Sequence, residues 1–301
     1  MSIANAITPN AGTAPLIAPG SELLIGQLVV FAFFASVTVL VALVAWKFKL
    51  LKPGGGSDHT QPAVVPANRF AGQRCDTGLE AIWLIVSAVV IVFVWKVAAI
   101  PGAGVNLETG VTTINQTYQA IGTAVAIALA IALHASARWY KLSIRLGLGW
   151  GDLKRSVWFA IVASVIAIPL TIAVNAFVAL ILTLTNNQPS TNPLLETIKN
   201  QSTPTVDWLL GLLIAIVGAP VLEEILFRGH VQTACARFFG PLPAVIAVSG
   251  VFALVHPPTH QPAIFALSVC LGLAYERTGR LWVPILMHVA FNALMVLATR
   301  L

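Results

Sequence analysis

Charge is scarce in this sequence. Of its 301 residues only 17 are Lys or Arg and 11 are Asp or Glu, 9% in all, against roughly a quarter in a soluble domain. That deficit, with 57% hydrophobic residues and a mean hydropathy of +0.87, excludes an ordinary soluble fold and requires a chain lying largely in or beside a bilayer. Cysteine is also sparse. Cys75, Cys235 and Cys270 form no CxxC pair, which excludes a disulfide scaffold and a zinc ribbon; Cys270, inside an apolar run, reads as core filler. There is no HExxH, and no GK[ST] follows Pro53-Gly-Gly-Gly56, so that glycine run is a flexible loop and not a phosphate cradle. The N-terminus lacks a basic region, and the apolar run behind it is too long for a secretion signal, so a retained span is expected. The net charge of +6 is not arranged as a basic stripe between aromatics. Nucleic acid is therefore discounted as a partner, and the lipid bilayer is expected instead.

What is present is a series of apolar runs of spanning length, about 17–25 residues. The fold class expected is all-α: a polytopic membrane protein of about eight helices with its site in the bundle core. The runs are Glu22–Trp46, Leu79–Ala99, Thr117–Tyr140, Lys154–Leu184, Val206–Arg228 continuing toward Phe239, Leu242–Val255, Ala263–Tyr275 and Trp282–Thr299. The sixth and seventh are short enough to be tilted or partly re-entrant. Pro169 and Pro220 predict kinks. The organisation expected is a 1–21 extracytoplasmic tail, N-terminal membrane helices over 22–140 with a 47–78 cytoplasmic loop, and a catalytic membrane domain over 141–301. Fourteen of the 17 basic residues fall on one side of this arrangement and only Lys96, Lys199 and Arg300 on the other. Basic residues collect in the cytoplasm, so both termini are expected outside.

One run violates its own apolarity. Between Leu209 and Leu222 nothing carries a charge, and then Glu223-Glu224 follow with Arg228. A charged residue at the centre of a membrane helix costs about 2.5–3.5 kcal/mol on insertion scales, and such residues mark functional sites by default. Glu224 and Arg228 are an i,i+4 pair in the favourable order, so Arg228 is expected to hold and neutralise Glu224. Glu223 is rotated by about 100° and points elsewhere, which gives the two carboxylates different roles. If the helix turns back at Gly240-Pro241, Glu223 lies 17 residues before the turn and His256 lies 16 after it, so both sit about 25 Å from it. His288 and Asn292, one turn apart on the last helix, share a face. A carboxylate hydrogen-bonded to His256 could take a proton from water. His288 and Asn292 could donate to the oxyanion that forms at an attacked carbonyl. This is equipment for amide hydrolysis.

Glu-Glu-x-x-x-Arg, Phe252-x-x-x-His256 and His288-x-x-x-Asn292, in this order on membrane helices, resemble the CAAX-processing and bacteriocin-processing (CPBP) intramembrane proteases. That family includes the type II CAAX prenyl endopeptidases and relatives of the lysostaphin-resistance protein. Arg145-Leu-Gly-Leu148 and the stretch from Tyr275 to His288 also resemble it, whereas the first 130 or so residues add little. The resemblance implies a peptidase in which Glu223 and His256 activate water, His288 and Asn292 form the oxyanion site, and Glu224 and Arg228 support it. It implies a membrane-associated or prenylated substrate and an integral protein of a bacterial cytoplasmic membrane.

No cofactor is expected. A zinc site of Glu223, His256 and His288, two imidazoles and a carboxylate with an open position, is the alternative; it ranks lower because Asn292 is a poor zinc ligand and a good oxyanion donor. A proton relay or transporter and an inert scaffold are the non-protease alternatives, the transporter weakened by the absence of an inverted repeat. His260 is separated from His256 by Pro257-Pro258 and reads as a loop residue. His134 reads as structural.

Overall fold

The computed structural model describes residues 77–99, 103–105, 112–114, 116–140, 142, 144–149, 153–187 and 205–298. The expected first span, Glu22–Trp46, and almost all of the 47–78 loop lie outside the described residues. Seven helices follow in order: α1 (Gly78–Ala99), α2 (Gln116–Trp139), α3 (Leu153–Leu184), α4 (Thr205–Phe239), α5 (Pro241–Leu254), α6 (Gln261–Thr278) and α7 (Trp282–Ala298). The fold is helical as expected, with one small addition. Two three-residue strands between α1 and α2, β1 (Ala103–Val105) and β2 (Thr112–Ile114), pair antiparallel with Gly104 opposite Thr113. Helices α1 to α4 are long and apolar enough to cross a membrane; α5 and α7 are shorter apolar helices of 14 and 17 residues.

Local chemistry sets the ends of these helices. Thr77 and Glu80 cap α1 reciprocally: the Thr77 N–H donates to Glu80 Oε2 at 2.8 Å and the Glu80 N–H donates to Thr77 Oγ1 at 3.2 Å, a capping box. Gly240 (φ +82°) makes the turn that Pro241 then opens as the first residue of α5, so the expected hairpin of α4 and α5 is present. α5 stops before Pro257-Pro258, and a single 3₁₀ turn leads into α6.

The outer surface is apolar. Leu79, Phe93, Leu184, Val206 and Leu254 are all more than 60% exposed. In water such a surface would aggregate, whereas in lipid it is the matching solvent. Two apolar cores lie inside. One joins α1, α2 and α4 through Leu84, Ile91, Ala126, Leu222 and Leu226. The other joins α3, α6 and α7 through Ala167, Leu267, Leu271, Val283 and Met287. Helix α4 is the more enclosed: 44% of its spanning window is buried against 28% for each of the first three helices, which puts its polar residues at the centre of the bundle.

The segment 144–149 runs against the turn between α6 and α7. Gly147 adopts φ +72°, and a Cβ there would collide with the Gly279 carbonyl oxygen. The Leu281 N–H donates to Gly147 O at 3.2 Å and Tyr275 Oη donates to Leu146 O at 3.4 Å. The two outlying stretches singled out in the sequence, around Arg145 and from Tyr275, are therefore in contact with each other.

Candidate active site

Helix α4 does not run as a regular α-helix. It widens into π geometry over Ile214–Gly218, returns to α over Ala219–Glu224, and widens again over Ile225–Gln232. Pro220 was expected to kink the helix. It is the second residue after the first π stretch and brings no N–H to it. Side chains of α4 occupy two of the carbonyls in the second stretch: His230 Nδ1 donates to Ile225 O at 2.7 Å, and Thr233 Oγ1 donates to Arg228 O at 2.9 Å. Glu223 and Glu224 stand between the two widened turns.

The two carboxylates differ as expected. Glu224 is fully buried, while the Glu223 side chain keeps 17% of its surface exposed, so Glu223 is the more accessible of the two acids. Arg228 Nη1 donates to Glu224 Oε1 at 2.9 Å. Its other arm, Nη2, donates to Ser268 Oγ at 2.7 Å and to the Ser268 carbonyl at 3.2 Å, and the guanidinium carbon lies 4.8 Å from the Phe252 ring centre. A guanidinium fork can serve two directions at once in this way. Glu224 Oε2 and Arg228 Nε, both buried, have no hydrogen-bond partner among the described residues.

The imidazoles are placed differently from expectation in one respect. Glu223 makes no direct hydrogen bond to His256. Its nearest imidazole is His288, whose Nε2 lies 3.8 Å from Glu223 Oε2. His288 Nδ1 donates to Glu224 Oε1 at 2.8 Å, so the buried acid orients this ring and aims its far nitrogen at the partly exposed acid. His256 Nδ1 donates to the Phe252 carbonyl at 2.7 Å, which leaves its Nε2 as a lone-pair acceptor. Both rings pack on Phe252, at centroid distances of 4.8 Å for His256 and 5.9 Å for His288. Phe252 is thus the apolar hub around which the two histidines and Arg228 are arranged.

Asn292 is tied to helix α4. Its Nδ2 donates to the carbonyl of Ala215, in the first π stretch of α4, at 2.8 Å. One of its two amide hydrogens is therefore engaged with the protein. Among the described residues no three His, Cys, Asp or Glu side chains are grouped to hold a metal ion.

Sequence reasoning missed a second polar row. Gln232 Nε2 donates to Glu276 Oε1 at 2.8 Å and to Gly272 O at 3.1 Å, one turn beyond the Arg228–Ser268 contact. Glu224, Arg228 and Gln232 recur every four residues on α4, and Ser268, Gly272 and Glu276 recur every four on α6. That matched spacing was the available signal. An apolar cavity of about 540 Å³ lies between α3 and α7, lined by Ile161, Val165, Pro169, Leu286 and Ala290 among others. Leu286 and Ala290 lie about 120–160° around α7 from His288 and Asn292, so the cavity lines another face of this helix.

A helical membrane bundle with two acids, two imidazoles and a guanidinium at its centre is the class that fold and site define. Residues 205–294 match the family model of type II CAAX prenyl endopeptidases, Rce1-like. Over 89 residues the chain is 29% identical to a Bacillus subtilis (strain 168) protein named "Putative membrane peptidase YdiL", covering 29% of this chain and 36% of that protein. The chain thus spans about a third of that relative's length. No solved structure matches. The resemblance to the CPBP proteases is shown for residues 205–294, the segment that carries all the candidate site residues.

Proposed function

We propose that the protein is an intramembrane endopeptidase that cleaves a peptide bond with water activated by Glu223 and His256. The observation that carries the reading is the Glu223–His288–Glu224 row, with separations of 3.8 and 2.8 Å, buried in an apolar bundle. Glu223, Glu224 and Arg228 sum to one negative charge, and one proton shared between Glu223 and His288 makes the group neutral. A neutral set is the form a low-dielectric interior favours. With that proton on His288, Glu223 is a free base. Water lies between Glu223 and the acceptor nitrogen of His256; its oxygen attacks the carbonyl carbon while Glu223 takes its proton. The developing oxyanion accepts from His288 Nε2–H, which Glu224 holds in place. When the carbon–nitrogen bond breaks, Glu223 passes the proton to the leaving nitrogen.

The substrate class this reading favours is a membrane-associated chain or a prenylated C-terminal peptide, following the family matched by residues 205–294. The zinc alternative uses Glu223, His256 and His288 as ligands, and no step above is routed through a metal. Metal content of the purified protein decides between the two: stoichiometric zinc bound through both histidines would replace the metal-free reading. The distribution of Lys and Arg supports a cytoplasmic position for the segment between α2 and α3 and both termini outside. A cysteine introduced at Gly149 should be labelled by an impermeant thiol reagent only in opened cells; labelling of intact cells would reverse the orientation.

The test of the function is a membrane-proteome comparison between cells carrying the wild-type protein and Glu223→Gln. Uncleaved chains should accumulate with the variant, while the variant itself is inserted at the normal level. Identical cleavage patterns would remove the peptidase reading.

A further inference from the structure

The carbonyl of Ala215 is deprived of its regular donor. In the π register an N–H bonds to the carbonyl five residues earlier, as the Ala219 N–H does to Ile214 O. The donor that register offers Ala215 is residue 220, and residue 220 is proline, which has no N–H. A buried backbone carbonyl is almost always partnered. Here the partner comes from another helix: Asn292 Nδ2, 77 positions along the chain and 2.8 Å away.

We infer that Asn292 is a positioning residue, a brace from α7 to the Pro220 break in α4. Two ties then join the helices that carry the proposed chemistry. One is the Glu224–His288 bond and the other is Ala215–Asn292, at 2.8 Å each. Between them lies the short α stretch Ala219–Glu224, flanked by π geometry and therefore lacking the rigidity of a continuous ladder. The second tie fixes the depth of Glu223 relative to His288 at a second hydrogen-bonded point. The inference rests on the proposed peptidase reading for its catalytic consequence, but not for the brace itself.

The experiment uses the purified full-length protein and compares wild type, Asn292→Ala, Pro220→Ala and the double variant. Backbone hydrogen exchange over residues 214–219 should be roughly five- to tenfold faster in Asn292→Ala, the effect of losing one buried hydrogen bond. Pro220→Ala restores an N–H in register with Ala215. The double variant should therefore exchange more slowly than Asn292→Ala and recover its thermal midpoint. With a fluorogenic prenylated CAAX peptide as probe, its kcat should recover while KM stays constant. Unchanged exchange in Asn292→Ala overturns the brace. A loss of kcat that Pro220→Ala does not relieve, at an unaltered midpoint, overturns it too and makes Asn292 an oxyanion donor. If the Pro220→Ala chain does not fold, the exchange comparison between wild type and Asn292→Ala decides alone. Exchange requires no substrate, so a chain that shows the brace and cleaves nothing would refute the peptidase reading separately.

Discussion

His288 is held by Glu224 and aimed at Glu223: its Nδ1 donates to the buried acid at 2.8 Å, and its Nε2 stands 3.8 Å from the partly exposed one. Adjacent residues in the chain therefore take different positions along one row, the second fixing the ring that faces the first. An imidazole oriented by a carboxylate on one nitrogen and free to work with the other is a recurring arrangement in hydrolytic sites.

Substitution at the two acids should separate these positions. Glu223→Gln removes a group with no direct hydrogen bond to lose, so the variant should fold normally and lose roughly 10²–10⁴-fold in kcat, the range of a general base. Glu224→Ala leaves Arg228 buried without its carboxylate, a loss of about 3–5 kcal/mol, and should sharply reduce the thermal midpoint and the amount inserted. Thermal unfolding of both purified variants checks this. Equal stability losses would mean that the acids share one structural role.

Arg228→Lys should not behave as a conservative change. The guanidinium reaches Glu224 with one arm and Ser268 with the other, and a lysine ammonium cannot hold that planar fork. The variant should be destabilised by about 1–3 kcal/mol from the lost charge-assisted bonds. Ser268→Ala should cost less, because it removes the hydroxyl while the Ser268 carbonyl still accepts. A denaturation series on the three proteins orders them, and a wild-type midpoint for Arg228→Lys would contradict the two-armed contact.

The general shape of the molecule was legible in the sequence because it depends on patterns of known period. Apolar runs located seven described helices, Gly240-Pro241 marked the hairpin, and the i,i+4 order of Glu224 and Arg228 anticipated their contact. The roles inside the site were less legible. A regular 100° step per residue predicts which face Glu223 occupies, but the widened turns on either side of it change the phase of α4. The pairing of Asn292 with Ala215 follows from a backbone N–H that proline lacks, and side-chain spacing cannot show that. The row of Ser268, Gly272 and Glu276 was readable by comparing spacings on two helices, yet it falls in a span whose small and polar residues otherwise look unremarkable.

Gly147→Ala tests whether the contact between the 144–149 segment and the α6–α7 turn matters to the site. The backbone there has φ +72°, and the new Cβ would meet the Gly279 carbonyl. The left-handed conformation alone costs about 1–2 kcal/mol for a residue with a Cβ, and the clash adds to it. A fall in the thermal midpoint with a parallel fall in activity is expected, since Leu281, at the foot of α7, bonds to Gly147. Unchanged stability would show that the segment yields without resistance.

The charge cancellation proposed for Glu223, Glu224, Arg228 and one shared proton has an electrical consequence. A net ion held at depth would feel the transmembrane voltage, worth about 2.3 kcal/mol per elementary charge at 100 mV, and the resting site would be pushed or pulled whenever the cell's energisation changed. A centre of zero net valence experiences no such force. Proton movement between neighbouring atoms of the row covers only a few ångströms of the field, so turnover should be nearly indifferent to membrane polarisation, and an ionophore that collapses the voltage should leave the cleavage rate where it was.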